Sequence, residues 1–192
     1  MPDPESVQVV TDSRVLAAMS HPLRRRLLDA LAVDGPSTIT MLAERTGQAS
    51  GNVSHHVKVL HEASLVEDAP ELARDRRERW WRLRAAGIRW SSTSFDEDQA
   101  TAAVADAAAS LNLEHQVGKV RAWLAQHETA DRAWLDASFS TDFWLQLTPD
   151  ELAQLSEQIL DLLNAWYRRE TPKDGAERES VFVFARGMPA AP

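Results

Sequence analysis

Residues 40–66 are TMLAERTGQASGNVSHHVKVLHEASLV, and this stretch decides the fold. A short amphipathic segment ends at Gly47, because glycine most easily takes the left-handed conformation that follows a helix. Ser50 is then placed to cap a second helix. That helix has three apolar residues spaced four and three apart: Val53, Val57 and Leu60. Two short helices joined by a tight turn with a glycine predict a helix-turn-helix.

The opposite face of the second helix is small, polar or cationic. Counting 100° per residue from the apolar side places Gly51, Ser54, His55 and Lys58 outward. A helix that enters a DNA major groove needs such a face, since bulky apolar groups would meet phosphates and base edges. The predicted DNA-binding residues of this helix are Ser50, Gly51, Asn52, Ser54, His55 and Lys58. An ordinary solvent-facing helix is the alternative, and the neighbouring elements favour DNA binding.

A charged hairpin follows the second helix. Residues 65–66 and 79–83 predict two strands around a loop that is first acidic and then basic. In that order such a hairpin is typical of the wing of a winged helix. Its predicted phosphate-contacting residues are Arg74, Arg76 and Arg77. Asp75 and Glu78 partly neutralise the run, so a solvated charge cluster is the alternative interpretation.

The distribution of charge supports a DNA-binding first half. The chain has 192 residues and a formal net charge of −8. Residues 1–94 carry 13 Lys+Arg against 12 Asp+Glu, whereas residues 95–192 carry 8 against 17. In the first half the cations cluster at residues 24–26 and 74–84, where a groove-binding domain would need them.

The composition and the positions of proline, glycine and capping residues predict a mainly α chain with small β elements. The expected organisation is a disordered tail over residues 1–11, a winged helix-turn-helix over 12–86, a linker over 87–96 and a helical C-terminal region over 97–192. Asp12 is a plausible N-cap for the first helix, and Pro22 suits the first turn of the next.

The C-terminal region is predicted to dimerise and to be a candidate effector domain. One long helix, or two with a break near Asn112 or Gly118, should cover residues 97–127, and Thr148 to Glu151 form a capping box that begins another. The second of these carries an apolar seam at Leu152, Leu155, Ile159, Leu162 and Trp166.

A short strand pair is expected beside these helices. Alternation at Phe139, Phe143 and Leu145 predicts one strand, and residues 180–185, SVFVFA, predict another that is buried or paired across a dimer. The tryptophans of this region either fill a core or line a pocket for a small apolar or aromatic effector, with core packing preferred: Trp123, Trp134, Trp144 and Trp166.

The segments LAAMSHPLRRRLLDAL and TMLAERTGQASGNVSHHVKVLHEASLV resemble the winged-helix domain of the ArsR family of bacterial transcriptional regulators. The likeness covers about residues 12–84, and the second half resembles the extended C-terminal region of some actinobacterial members. The resemblance implies a homodimeric repressor that binds a palindromic double-stranded DNA operator. By motif position the DNA-reading residues fall on Asn52, Ser54, His55 and Lys58, while His56 packs. Ser64 stands where many members have glycine, and the wing tip lacks one.

Other classes of function are disfavoured. The chain has no cysteine, which excludes thiolate sensing. His115 and His127, each beside a glutamate, leave a zinc-responsive repressor as an alternative, but no metal site or cofactor is predicted. No phosphate-binding glycine loop or catalytic triad is recognisable, so an enzyme is not expected. No apolar run suits a membrane span, and a cytoplasmic location is expected. A winged helix used only for protein contacts remains the second alternative.

Overall fold

The computed structural model describes residues 7–75, 78–90, 92–95 and 99–191. Five strands are present: β1 (Val7–Val9), β2 (Ser37–Thr38), β3 (Val66–Asp68), β4 (Trp80–Leu83) and β5 (Gly87–Arg89). Seven α-helices are present: α1 (Ser13–Met19), α2 (Pro22–Asp34), α3 (Ile39–Thr46), α4 (Ser50–Glu62), α5 (Gln99–Leu124), α6 (Arg132–Ala137) and α7 (Pro149–Arg168). The chain is mainly helical with small β elements, as predicted. None of the helices formed by the described residues is long and apolar enough to cross a membrane.

The helices begin and end where local chemistry directs. The Asp12 carboxylate accepts the Arg14 backbone N–H and caps α1, as predicted. The His21 imidazole caps α2 by accepting the Leu23 N–H, and Pro22 occupies the first turn. Gly47 ends α3 at φ 65° and ψ 35°, the left-handed conformation expected for it. These caps place α3 and α4 on either side of a tight turn.

Helices α1 to α4 enclose one apolar core. The α4 side chains predicted to face inward, Val53, Val57 and Leu60, are all fully buried. Helix α3 contributes Leu42 and α2 contributes Leu27, and these also lie in the same core. Burial of these side chains anchors α4 on the other helices, since each fully buried aliphatic side chain stabilises the fold by about 2 kcal/mol.

The predicted wing is an antiparallel hairpin. Strand β4 pairs with β3, with Val66 opposite Leu83 and Asp68 opposite Trp81. Strand β2 pairs with the other edge of β4, so the sheet order is β2-β4-β3. Trp81 is buried and Leu83 packs against the core, which was expected from their shared strand face. The sheet therefore joins α2, α3 and the wing in one domain.

Part of the segment expected to be a tail and part of the expected linker form strands. Strand β1 pairs in parallel with β5, with Val7 opposite Gly87, and Val10 is buried. Phe95 is 1% exposed. The physical reason is mutual support: two short strands about 80 residues apart satisfy each other's backbone groups and cover the same core. Residues 1–6 lie outside the described part of the chain.

The boundary between the two compact units also differs from the expected one. The first unit ends at Leu113 and the second begins at Glu114, within α5, whereas a boundary at residue 97 was expected. Ala105 and Ala108 are buried in the core of the first unit, so the first half of α5 belongs to it. Helix α5 is continuous through Asn112 and Gly118, which selects the one-helix alternative.

In the second unit the predicted helices are present, whereas the predicted strand pair does not form within one chain. Helix α7 begins with the predicted capping box, in which Thr148 and Glu151 bond to each other's backbone N–H groups. No strand occurs among residues 114–191, and Phe139 and Phe143 are exposed. Among the described residues neither segment makes a backbone–backbone hydrogen bond, so no strand ladder forms there.

The tryptophans of the second unit do not fill a core within one chain, contrary to the preferred expectation. Trp134, Trp144 and Trp166 are between 37% and 69% exposed. Trp123 is half-buried and meets the His127 ring edge-on, with centroids 5.4 Å apart. Large apolar side chains at that exposure point to an interaction surface.

Candidate nucleic-acid interface

The outward face of α4 is exposed as predicted. Gly51, Asn52, Ser54, His55 and Lys58 are all exposed. His56 is 8% exposed and packs inward, which agrees with the sequence prediction for that position. The same helix therefore presents polar groups on one side and fully buried valine and leucine on the other.

The start of α4 differs from the prediction in one respect. Ser50 is the first helical residue, and Ala49 is the N-cap, with no side-chain hydrogen bond to the first turn. The sequence placed the cap at Ser50 because serine is the better capping residue. Since the first turn also lacks an acidic residue, its backbone N–H groups face solvent at the positive end of the helix dipole. Such a terminus is compatible with a DNA phosphate.

The turn contributes a residue that the sequence analysis missed. Gln48 is exposed, and its amide oxygen accepts a hydrogen bond from the Asn52 side chain at 3.2 Å. Its own amide N–H donates to the Gly47 carbonyl at 3.2 Å. Gln48 and Asn52 thus form one amide pair at the start of α4. Amide side chains pair with adenine, so their i, i+4 spacing was the available signal.

Gly51 has open space around it. A Cβ atom built at this position would meet nothing within 4 Å. Packing within the chain therefore does not require glycine there, although glycine lowers helix propensity by about 1 kcal/mol relative to alanine. A close approach of another molecule to the helix backbone would account for the residue.

Lys58 is the cation of the exposed face. Its ammonium lies 3.8 Å from the Glu62 carboxylate, and the two side chains are 76% and 62% exposed. An exposed pair of this kind contributes only about 0.3–0.5 kcal/mol. A DNA phosphate can therefore replace Glu62 as its partner at little cost.

The arginines of α2 have a structural role, which corrects the expectation that they serve DNA binding. Arg24 donates to the Ala17 and Ala18 carbonyls at the end of α1. Arg26 donates to the Thr46 carbonyl at the end of α3, at 2.7 Å. In both cases a cation meets carbonyls of the last turn of a helix, at the negative end of the helix dipole.

Arg25 connects α2 to α5. Its guanidinium donates to the Asn112 side-chain oxygen at 2.7 Å, within the first unit. Burial lowers the pKa of Arg25, while the nearby Asp29 opposes that shift. The arginine cluster at residues 24–26 therefore joins helices to one another.

The wing holds its cations close to its own carboxylates. Arg82 bonds to Glu67 at 2.7 Å and also to Glu71, and these bonds raise its pKa. Arg79 bonds to Asp68 at 3.0 Å and lies over the Trp81 ring at 4.8 Å. These contacts brace the hairpin from within.

At the wing tip, Arg74 is exposed, and its backbone N–H donates to the Glu78 carboxylate at 2.8 Å. Arg76 and Arg77 lie outside the described residues. Of the three predicted wing contacts, only Arg74 is therefore placed, at the surface.

A histidine cluster lies beneath the exposed face of α4. The His56 ring is 4.4 Å from the His21 ring and 5.3 Å from the His55 ring, centroid to centroid. Burial is the main cause that lowers the pKa of His56, followed by the positive charges of His21, Arg24 and His55. Burial and then Arg24 lower the pKa of His21. Protonation of His56 and of His21 is thus disfavoured in the folded protein.

No metal site accompanies these histidines. Within the described ranges, no three His, Asp or Glu side chains lie close enough together to hold a metal ion. His115 and His127 belong to no such group, so the zinc-responsive alternative gains no support from the described residues.

Comparison with known proteins bears on residues 19–69, which match the family model described as a helix-turn-helix domain. No curated protein matches the chain.

Several solved structures resemble the chain. One is NolR from Sinorhizobium fredii, with 26% identity, coverage of 38% of this chain and 68% of that one, and a TM-score of 0.33. The transcriptional repressor BigR from Xylella fastidiosa has 22% identity, covers 55% and 83%, and has a TM-score of 0.34. The homodimeric winged helix-turn-helix DNA-binding domain of Mb0332 from Mycobacterium bovis has 21% identity, covers 64% and 88%, and has a TM-score of 0.35.

The family model spans α2 to β3 and ends in the hairpin that forms the wing. The turn at Gly47, the buried face of α4 and the β3–β4 hairpin stand in the order that this domain requires. The first unit of this chain therefore contains a winged helix-turn-helix domain, whose second helix is α4.

Proposed function

We propose that this protein is a sequence-specific DNA-binding transcriptional regulator that works as a homodimer, in the manner of the ArsR-type repressors that its sequence resembles. One observation carries the proposal. Helix α4 of a helix-turn-helix domain exposes a polar and cationic face while its valines and Leu60 are fully buried. A helix of that kind fits the major groove.

Each exposed residue has a chemically distinct role in this proposal. Asn52, supported by Gln48, pairs with an adenine edge, and Ser54 and His55 donate to or accept from neighbouring base edges. Lys58 and the backbone N–H groups of the first turn hold phosphates. Arg74 supplies a phosphate contact from the wing, with Arg76 and Arg77 assigned the same task from the sequence.

A dimer is proposed because one recognition helix buries too little surface for useful specificity. Two copies with their α4 helices about 34 Å apart would meet two half-sites of a palindromic operator, one helical turn apart. A signal that changed this spacing would release the DNA, and a small apolar or aromatic effector bound in the second unit is the kind of signal that its exposed tryptophans suit.

The experiment that tests the proposal is selection of bound fragments from the source genome with the purified full chain. Enrichment of a short palindromic sequence is expected. Ser54→Ala and His55→Ala should each relax preference at one base position of each half-site and cost about 1–3 kcal/mol of discrimination there. Recovery of fragments with no shared sequence would contradict sequence-specific binding.

Charge reversal at Lys58 separates this proposal from a winged helix that only contacts proteins. Lys58→Glu should abolish DNA binding and leave thermal unfolding nearly unchanged, because the side chain is 76% exposed. Arg45→Glu is a matched control in α3, since Arg45 is also exposed and bonded only to Asp34 in the described structure. Equal DNA binding by the Lys58 variant and the original chain would favour the protein-contact alternative.

A further inference from the structure

Two segments of the second unit, residues 139–147 and 181–188, are rich in apolar side chains that face solvent. The first carries Phe139 and Phe143, each 79% exposed, and Trp144, 69% exposed. The second carries Val181 at 64% and Val183 at 45%. Side chains of this size rarely stay exposed in such number on a chain that acts alone.

The described backbone of both segments also lacks the hydrogen bonds of a helix or strand. Among the described residues, no backbone–backbone hydrogen bond falls between the Ser138 N–H, which donates to Trp134, and the Leu152 N–H, which donates to Thr148. Residues 169–191, as far as they are described, show none either. Apolar residues alternate at Phe143, Leu145 and Leu147, the period of a strand with one covered face. These segments therefore have the side-chain pattern of strands and unused backbone groups.

The second segment contacts helices α5 and α7 of its own chain, and its valines face solvent. The Phe182 ring meets the His115 ring edge-on at 6.4 Å and lies below the Lys119 ammonium at 5.9 Å. The Arg186 guanidinium donates to the Gln116 side-chain oxygen at 2.9 Å. Helices α5 and α7 thus anchor the segment, since a Cβ at Gly187 would already meet Leu152 at 3.0 Å. Val181 and Val183 remain on the outside.

The exposed area matches what two identical chains would cover. Taking about 200 Å² for a fully exposed aromatic side chain, the rings of Phe139, Phe143, Trp144, Phe182 and Phe184 expose about 600 Å² in each chain. A stable specific interface takes about 800 Å² from each partner. The remaining area is available from Val181, Val183 and the exposed end of α7, where Trp166 is 60% exposed.

The local charge favours a second copy as the occupant. Residues 143–147 and 181–185 contain no charged side chain, so pairing identical chains brings no like charges into the sheet. The charged residues beside these segments are of both signs, Asp142, Glu177 and Glu179 with Arg178 and Arg186, so they form no cationic cluster of the kind that binds an anionic lipid surface. A two-fold interface would also give the backbone N–H and C=O groups of these segments hydrogen-bond partners in both chains at once.

We propose that residues 143–147 and 181–185 become strands of a β-sheet shared between two copies of this chain, which makes the second unit the dimer interface. The inference rests on the proposed function only for the role of that dimer in DNA binding. The sheet covers the aromatic face, and each copy supplies backbone partners to the other.

The test uses the full chain, sedimentation velocity and amide hydrogen exchange. The original chain is expected to sediment as a dimer at micromolar concentration, with slow exchange of the amides at 143–147 and 181–185. Phe143→Lys and Val181→Lys should each weaken the dimer at least tenfold. Val33→Lys in α2 is the matched control, because Val33 is 50% exposed outside the second unit, and it should leave the dimer unchanged. Thermal unfolding of each variant verifies that the chain still folds.

A second pair of variants removes dependence on added charge. Because the chain has no cysteine, a single introduced cysteine forms a disulfide only between copies. Val183→Cys should cross-link far faster than Val33→Cys under mild oxidation, and equal rates would contradict a shared sheet that includes residue 183.

The outcomes separate this inference from the proposed function. A monomer at all concentrations, or a dimer whose amides at 143–147 and 181–185 exchange freely, would overturn the inference even if the chain bound a palindromic site. A dimer with protected segments would support it even if no specific DNA sequence were found.

Discussion

Lys58 and Arg26 are both exposed cations on neighbouring helices, and the structure predicts opposite effects from their removal. Lys58 reaches from the outward face of α4 and has only a weak ion pair with Glu62. Arg26 reaches from α2 to the Thr46 carbonyl at the end of α3. Lys58→Ala should therefore impair DNA binding without affecting stability, and Arg26→Ala should reduce stability without affecting the electrostatics of DNA binding.

The magnitudes follow from these contacts. Loss of one phosphate contact lowers the slope of log binding constant against log salt by about 0.9, or about 1.8 for the two half-sites of a dimer. Loss of the pair with Glu62 costs below about 0.5 kcal/mol in unfolding free energy. A charge-assisted hydrogen bond contributes about 1.5–3 kcal/mol when buried, so the partly exposed bond of Arg26 should contribute about 1 kcal/mol. That corresponds to a fall in Tm of about 4 °C.

The assay measures binding to a DNA fragment selected by the original chain, by fluorescence anisotropy between 50 and 200 mM salt, together with thermal unfolding of the free protein. Lys58→Ala should change the slope and not Tm, and Arg26→Ala should change Tm and not the slope. If both variants lowered the slope equally, the assignment of the α2 arginines to a structural role would be refuted. If Lys58→Ala left the slope intact, α4 would not face the phosphates.

Three further predictions concern strain, pH and the wing. Ser64 has φ 55°, a conformation that glycine adopts more easily. Ser64→Gly should therefore raise the free energy of unfolding, measured by chemical denaturation, by about 0.5–1 kcal/mol, and Ser64→Ala should not. A lower free energy of unfolding with glycine would contradict backbone strain at this residue. Burial lowers the pKa of His56 in the folded protein. As the pH falls, the unfolded chain therefore takes up a proton first, near pH 6.5. The contribution of His56 to the free energy of unfolding is complete above that pH and is lost below it. His56→Phe should make this loss shallower between pH 7 and pH 5, and parallel curves would disprove the effect. Arg82→Ala removes the bonds to Glu67 and Glu71 and should destabilise the hairpin by about 1 kcal/mol, seen as faster amide exchange in β3; unaltered exchange would argue against bracing.

The sequence was sufficient to predict the helix-turn-helix and α7, because in both cases local signals agree. At α3 and α4 the glycine turn coincides with apolar residues three and four apart, and at Thr148 the capping box coincides with a proline in the first turn. Each signal acts within a few residues. The exposed set on α4 followed directly from helical geometry once the buried valines were identified.

What the sequence did not predict depends on contacts between distant residues. Strands β1 and β5 have three residues each and pair across about 80 positions, so neither shows a periodicity of its own. The arginines of α2 are typical of a DNA-facing patch by composition, and only the carbonyl ends of α1 and α3 show their structural role. Alternation at residues 143–147 predicts a strand, but a single chain offers it no neighbour.

The arrangement of cations also indicates how this domain would recognise DNA. Most of the arginines that composition assigned to the DNA surface bond to oxygen atoms of their own chain: Arg24, Arg25, Arg26, Arg79 and Arg82. Counterions released from phosphates provide most of the non-specific affinity for DNA. A domain whose arginines bond to its own oxygen atoms therefore gains less affinity from phosphate contacts than its sequence suggests. Under the proposed function, a larger share of binding would then come from base contacts by neutral groups, such as Asn52, Ser54 and Gln48 at the start of α4. With an acidic second half that adds repulsion toward DNA, binding to unrelated sequences should be weak relative to binding at the operator.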